Sequence, residues 1–191
     1  LSSLLELNPL EITAGEVEKK LISTSFGVRL LLSNFNSLNL NFADQTEKLI
    51  ALINALTLIA PMTFVDIGTP YQPGYEKICS ICSELIVVTE PLPPTVQRTK
   101  VLLNELRSGS AASGKIINVV LVNRIREGNI LTLKQVSELL DNEEITTMIP
   151  PSPEQTSQAV QRKTPLVNIY TDGVVANQIG ELAGIIKSHV D

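Results

Sequence analysis

Three stretches of the chain hold residues whose types and spacing could do chemistry. The first is Met62 to Gly74, MTFVDIGTPYQPG. Its apolar run predicts a buried strand at 63–67 that carries Asp66 to its end and breaks after Gly68 into a glycine- and proline-rich turn. A carboxylate delivered to the edge of a parallel sheet, beside a glycine that permits close backbone approach, is what a nucleotide–magnesium site needs. A strand-terminal Asp that merely caps the next turn fits the same residues. The second stretch is Gly109 to Ile116, GSAASGKI, which has the G-x-x-x-x-G-K spacing of a phosphate loop. Ile116 stands where a magnesium-binding hydroxyl belongs. A helix precedes and a strand follows, the reverse of the order that aims a helix N-terminus at phosphates. GSAASGKI therefore reads as a surface connection, with Gly109 as a helix C-cap. The third stretch is the pair Cys79 and Cys82. With no second pair, and His189 as the one histidine, it assembles no zinc site. Helical spacing inside KICSICSEL favours buried packing over redox use.

The elements that must position these residues alternate along the chain. Helical spacing runs over 14–24, 44–60, 74–83, 93–107, 131–141, 153–163 and 172–188. Apolar runs at 26–33, 63–67, 84–90, 115–123 and 144–150 predict strands, and Asn36 to Asn41 a loop. Thr132 is the expected N-cap of its helix, and Pro93 and Pro94 suit a first turn. Nearly continuous Val, Ile and Leu without strict alternation marks strands buried on both faces, as in parallel sheets covered by helices. The expectation is a single α/β domain over 1–191, doubly wound around a mainly parallel sheet. Ligands of such sheets bind beyond the carboxyl ends of the strands, here at Asp66 to Gly68, Thr89 to Pro91, Asn123-Arg124 and Pro150-Pro151.

From Asp66 to Glu181 the chain resembles the MinD/ParA family of deviant-Walker P-loop ATPases, most of all its CpaE/TadZ-like pilus-assembly members. The residues that carry the resemblance are FVDIGTP (64–70), ELIVVTEPLPPTVQRTKVLLNEL (84–106), INVVLVNR (117–124) and MIPPSPEQTSQAVQRKTPLV (148–167), in that order. The N-terminal third fits the segment that precedes the family's magnesium aspartate. The resemblance implies a P-loop NTPase-like fold, ATP and magnesium as cofactors, and Asp66 as the magnesium-side, catalytic aspartate with Gly68 in the second switch. It implies Asn123 hydrogen-bonded to adenine with Arg124 beside it, and Pro150 and Pro151 walling the base. On the residues alone, Asn123 could equally cap a loop and the prolines could simply end a strand.

The family's lysine-bearing phosphate loop and first strand are expected upstream of Leu1, and the abrupt start in LSSLLEL reads as a cut through a longer chain. The 191 residues are then the C-terminal portion of the ATPase domain and are not expected to hydrolyse ATP or bind it tightly alone, because positioning and electrostatics are nearly all that phosphoryl transfer draws from a protein. The implied function is a nucleotide-dependent positioning or assembly switch, of pilus, septum or chromosome-partition type, that works as a homodimer with protein partners. The alternative is a non-catalytic TadZ-like scaffold acting through protein contacts. Loss of a central strand also leads us to expect self-association through an exposed sheet edge.

Composition narrows the field. Apolar residues make up 43% and charged residues 18%, as in folded globular domains, and the net charge of −5 supplies no general attraction to nucleic acid or anionic lipid. The longest apolar run, Leu49 to Ala60, is too short to span a bilayer. The C-terminal GELAGIIKSHVD has one lysine and two acids, so direct membrane insertion is not expected. The expected location is cytoplasmic, with pole or membrane association through partners. An unrelated α/β enzyme has little support: there is no Gly-x-Ser-x-Gly elbow and no histidine in the body of the chain.

Overall fold

The apolar runs of the second half pair with one another in the computed structural model, which describes residues 1–32, 42–68, 74–109, 112–124 and 130–189. Contacts divide the chain into two units, Leu1–Ser83 and Glu84–Asp191. The second unit holds β3 (Glu84–Thr89), α5 (Pro93–Ser108), β4 (Ile116–Val122), α6 (Leu133–Leu139), β5 (Ile145–Ile149), α7 (Pro153–Gln161), α8 (Leu166–Ile169) and α9 (Val174–Ser188). Its three strands form a parallel sheet in the order β3-β4-β5. Parallel neighbours need long crossovers, and α5 and α6 provide them. Thr89 lies opposite Leu121, and Leu121 opposite Met148, so the three strands end nearly level.

Each crossover helix turns one apolar face inward. Val96, Leu103 and Leu106 of α5 and Val136 of α6 are buried, as are Leu85, Val87, Val119, Val120 and Leu121 of the strands. Burial of each contributes roughly 1.5–3 kcal/mol. The Thr99 hydroxyl donates to the Thr89 hydroxyl at 2.8 Å, which satisfies two polar groups inside this core. Thr132 caps α6 as expected: its Oγ1 accepts from the Gln135 N–H at 3.3 Å while Gln135 Oε1 accepts from the Thr132 N–H at 2.9 Å. Pro93 and Pro153 stand in the first turns of α5 and α7. At the opposite end of the sheet, Glu84 meets the Asn118 amide and, at 3.1 Å, His189 Nδ1 at the end of α9.

The first unit is built from α1 (Ser2–Leu5), a 3₁₀ turn (Pro9–Glu11), α2 (Ala14–Glu18), a hairpin of β1 (Ile22–Ser23) and β2 (Arg29–Leu30), α3 (Phe42–Thr57) and α4 (Tyr75–Ile81). Leu4, Ile12, Val17, Leu52 and Ala55 make its core. Lys48 Nζ donates to the Leu5 carbonyl at 2.6 Å and ties α3 to α1.

Two expected strands do not join the parallel sheet. Of the run 26–33, Arg29–Leu30 alone is strand, paired antiparallel with Ile22–Ser23. Gly27, at φ +84°, and the Thr24 hydroxyl close the turn between them, so local chemistry outcompetes long-range pairing. Residues 62–68 carry no strand ladder, and Phe64 is 69% exposed. An apolar run marks a tendency toward burial but does not supply the neighbour that a ladder requires. The helix expected over 14–24 stops at Glu18, and its last residues enter the hairpin instead. The loop at Asn36 to Asn41, the turn at 69–73 and positions 110–111 of GSAASGKI lie outside the described residues.

Candidate functional site

In a parallel sheet all strands point one way, so the residues just past their ends gather on one edge. Here those residues are Glu90 and Pro91 after β3, Asn123 and Arg124 after β4, and Pro150 and Pro151 after β5. The Asn123 N–H donates to the Ile149 carbonyl at 2.9 Å, which extends the β4–β5 pairing by one step and sets Asn123 beside the two prolines. Asn123, Pro150 and Pro151 are half-buried. The Leu131 N–H donates to the Pro91 carbonyl at 2.9 Å and anchors the return of the chain toward α6. Four of the residues singled out from sequence, Asn123, Arg124, Pro150 and Pro151, thus lie on one edge of the second unit.

Glu90, Pro91, Leu92, Asn123, Arg124 and Ile130 line a niche on this edge with room for about 10 Å³. Two of its walls are joined, because Arg124 Nε donates to Glu90 Oε1 at 2.5 Å. Arg124 is 74% exposed at its side chain and Glu90 28%. Sequence reasoning placed Glu90 at this edge but did not foresee the pair. Its signal was the opposite charge of two residues following neighbouring strands, which becomes meaningful only once the strand order is known.

Asp66 and Gly68 belong to the first unit. Asp66 Oδ1 accepts from the Gly68 N–H at 2.9 Å, an Asx turn, and Gly68 sits at φ +64° with open space where a Cβ would be. The glycine is required by its left-handed backbone rather than by a close neighbour. In the observed geometry Asp66 caps its own turn through Oδ1.

The described residues of GSAASGKI run from the end of α5 to the start of β4. Gly109 is the C-cap of α5, its N–H donating to the Glu105 carbonyl at 2.9 Å, although in extended rather than left-handed conformation. Ala112 is buried, Gly114 turns at φ +71°, and Ile116 opens β4. Cys79 is buried, and Cys82 Sγ donates to the Ile78 carbonyl at 3.3 Å. Among the described residues no three His, Cys, Asp or Glu converge as a metal site, and no helix is long and apolar enough to cross a membrane.

The described residues hold part of what a nucleotide with magnesium needs. The niche has room for about one water-sized group, and Asp66 Oδ1 accepts from the Gly68 N–H, a single bond that leaves a carboxylate further acceptor capacity. Among the described residues, no glycine-rich loop stands between a strand and a following helix with the phosphate-loop pattern. The β4 and β5 tips do carry groups that suit the edge and face of a heterocyclic base, the Asn123 amide and two proline rings.

No protein-family profile and no curated relative matches the chain. Solved structures do. The cell division ATPase MinD of Pyrococcus furiosus superposes with a TM-score of 0.70 at 18% identity, over 96% of this chain and 76% of that one. A ParA family ATPase from Chlorobium tepidum gives 0.71 at 16%, over 86% and 66%. MinD of Aquifex aeolicus gives 0.70 at 18% over 97% and 79% and, in its complex with MinC, 0.66 at 18% over 95% and 73%. The chain has the α/β fold of the MinD and ParA ATPases.

Proposed function

We propose that these 191 residues are the C-terminal portion of a MinD/ParA-like ATPase domain and form the base-binding side of a nucleotide-dependent positioning or assembly switch. The observation that carries this reading is the juxtaposition of Asn123 with Pro150 and Pro151 at adjacent strand tips, held by the Asn123 N–H···O=C Ile149 hydrogen bond of 2.9 Å, in a fold shared with such ATPases. Asn123 reads the edge of adenine, Pro150 and Pro151 wall it, and Arg124 flanks it. By the sequence resemblance, Asp66 and Gly68 serve the magnesium and phosphates, with the phosphate loop supplied upstream of Leu1. Bound ATP and magnesium supply the phosphoryl group and its charge neutralisation; these residues bind and orient. The switch works as a homodimer with protein partners, in a cytoplasmic setting that reaches a pole or membrane through those partners. The MinC complex of the Aquifex relative gives such partnership a precedent, and a CpaE-like role in pilus assembly is the particular form that the sequence resemblance favours.

The test is the full-length protein. A lysine-bearing phosphate loop should stand upstream of Leu1, and Asp66→Ala should abolish ATP-dependent localisation and partner binding together. Absence of that loop, or unchanged localisation and partner binding in the variant, overturns the switch. The second outcome supports instead a non-catalytic TadZ-like scaffold that works through protein contacts.

A further inference from the structure

Cys79 and Cys82 do not share the packing role expected of them. Cys79 is 4% exposed and lies beside the buried Ile78 in α4. Cys82 stands where that helix ends. It is half-buried, its ψ of 143° is extended, and its neighbours Ile81 and Ser83 are exposed. Two hydrogen bonds fold Cys82 back over the last turn. Its N–H donates to the Cys79 carbonyl at 3.2 Å, and its Sγ to the Ile78 carbonyl at 3.3 Å. The second bond sets the Cys82 sulfur against the peptide that joins Ile78 to Cys79. Residues three apart on a helical turn have Cβ atoms about 5–6 Å apart, and a disulfide asks for about 3.5–4.5 Å. The remaining approach falls to Cys82, whose backbone has already left the helix.

We propose that Cys79 and Cys82 form a reversible dithiol–disulfide site, with Cys82 as the entry thiol, Cys79 as the resolving thiol and a small-molecule disulfide such as oxidised glutathione as the oxidant. Cys82, as its thiolate, attacks one sulfur of that disulfide. A mixed disulfide forms, and one glutathione thiolate leaves with the electron pair and takes up the proton that Cys82 gave away. Cys79, deprotonated in turn, attacks Cys82 Sγ, closes the internal disulfide and expels the second glutathione, which leaves as a thiol. Two protein thiols are oxidised and one small disulfide is reduced to two thiols, so atoms, electrons and protons balance. Burial screens Cys79 from an external disulfide but not from a sulfur one turn away, and this sets the order of the steps. Among the described residues no third His, Cys, Asp or Glu converges on the pair as a metal site, so its chemistry lies between the two sulfurs. The chain passes from the first unit to the second between Ser83 and Glu84, and the bond staples the last turn before that passage. The site does not depend on the nucleotide reading, which uses other residues.

The test equilibrates the folded full-length protein with reduced and oxidised glutathione at varied ratio and then blocks the remaining thiols with a maleimide. Mass spectrometry weighs the tryptic peptide from Ile78 to Arg98, which holds both cysteines. As oxidised glutathione rises, the wild-type peptide should lose two hydrogens and all maleimide labelling without gaining glutathione, and a reductant should reverse the change. Cys79→Ser should stop at a glutathione adduct on Cys82, whereas Cys82→Ser should keep Cys79 as a thiol. Circular dichroism confirms that each variant is folded. A wild-type peptide that keeps both thiols in excess oxidised glutathione, or that stops at the glutathione adduct, overturns the proposal. An internal disulfide that forms only after urea unfolds the protein overturns it as well. A glutathione adduct on Cys79 in folded Cys82→Ser overturns the assigned order of attack. If a serine variant is unfolded, the alanine variant at the same position takes its place, and the wild-type peptide still decides whether the disulfide forms.

Discussion

Thr132 and Asp66 show what a single residue can and cannot disclose. A threonine at the head of an apolar period announces an N-cap, and the structure adds the reciprocal bond with Gln135 that makes it a capping box. Thr132→Ala should cost about 1 kcal/mol, the usual worth of such a cap. A urea midpoint that falls with an unchanged slope would confirm it, and an unmoved midpoint would contradict it. For Asp66 the sequence offered two readings, a turn cap and a magnesium aspartate, without a local pattern to choose between them. The Gly68 N–H lies two residues on, and both a turn cap and a metal ligand use the same carboxylate. Arg124 was legible as a neighbour of Asn123, whereas its bond to Glu90 spans two strand tips 34 residues apart and depends on a strand order that no local pattern encodes.

Among the elements, the second half of the chain was read nearly to its boundaries. The expected strands at 84–90, 115–123 and 144–150 appear at 84–89, 116–122 and 145–149. Long Val and Ile runs, cleanly interrupted by turn residues, marked them, although the expected burial on both faces fails in β3, which buries Leu85, Val87 and Thr89 and exposes Ile86 and Val88 between them. The runs at 26–33 and 63–67 carry the same signal but not the same outcome, because pairing needs a partner as well as a propensity. β3 illustrates the point from the other side. It pairs with β4 on one edge, no described strand pairs with its other edge, and Ile86 and Val88 are 38% and 61% exposed. Such an edge is a template for another strand. The 191-residue chain is expected to self-associate as its concentration rises, and Val88→Lys, which places a charge on that edge, should return it to a monomer by light scattering. A wild-type chain that stays monomeric at high concentration would rule this out.

For the whole molecule, the α/β class followed from alternation alone, and a likeness to MinD and ParA structures at 16–18% identity agrees with it. The proposed nucleotide reading has a bulk consequence as well. Full-length protein at a hundredfold excess of Mg-ATP over its dissociation constant should gain about 2.7 kcal/mol. For a domain of this size that corresponds to a rise of roughly 5–10 °C in Tm. The 191-residue chain under the same conditions should gain little. Equal shifts in both, or in neither, would contradict the division of the site proposed above.

The order β3-β4-β5 has one more consequence, which concerns time rather than stability. Each strand pairs with the next one made, so the sheet is assembled from consecutive strand–helix–strand steps and no early strand must wait for a distant one. Pairing of neighbours in sequence keeps loop closure short and folding comparatively fast for a parallel sheet. During synthesis, β4 emerges while β3 and α5 are already available, and β5 adds to an existing edge. The growing side of this sheet is therefore its newest strand, and β3 keeps an edge with which no described strand pairs.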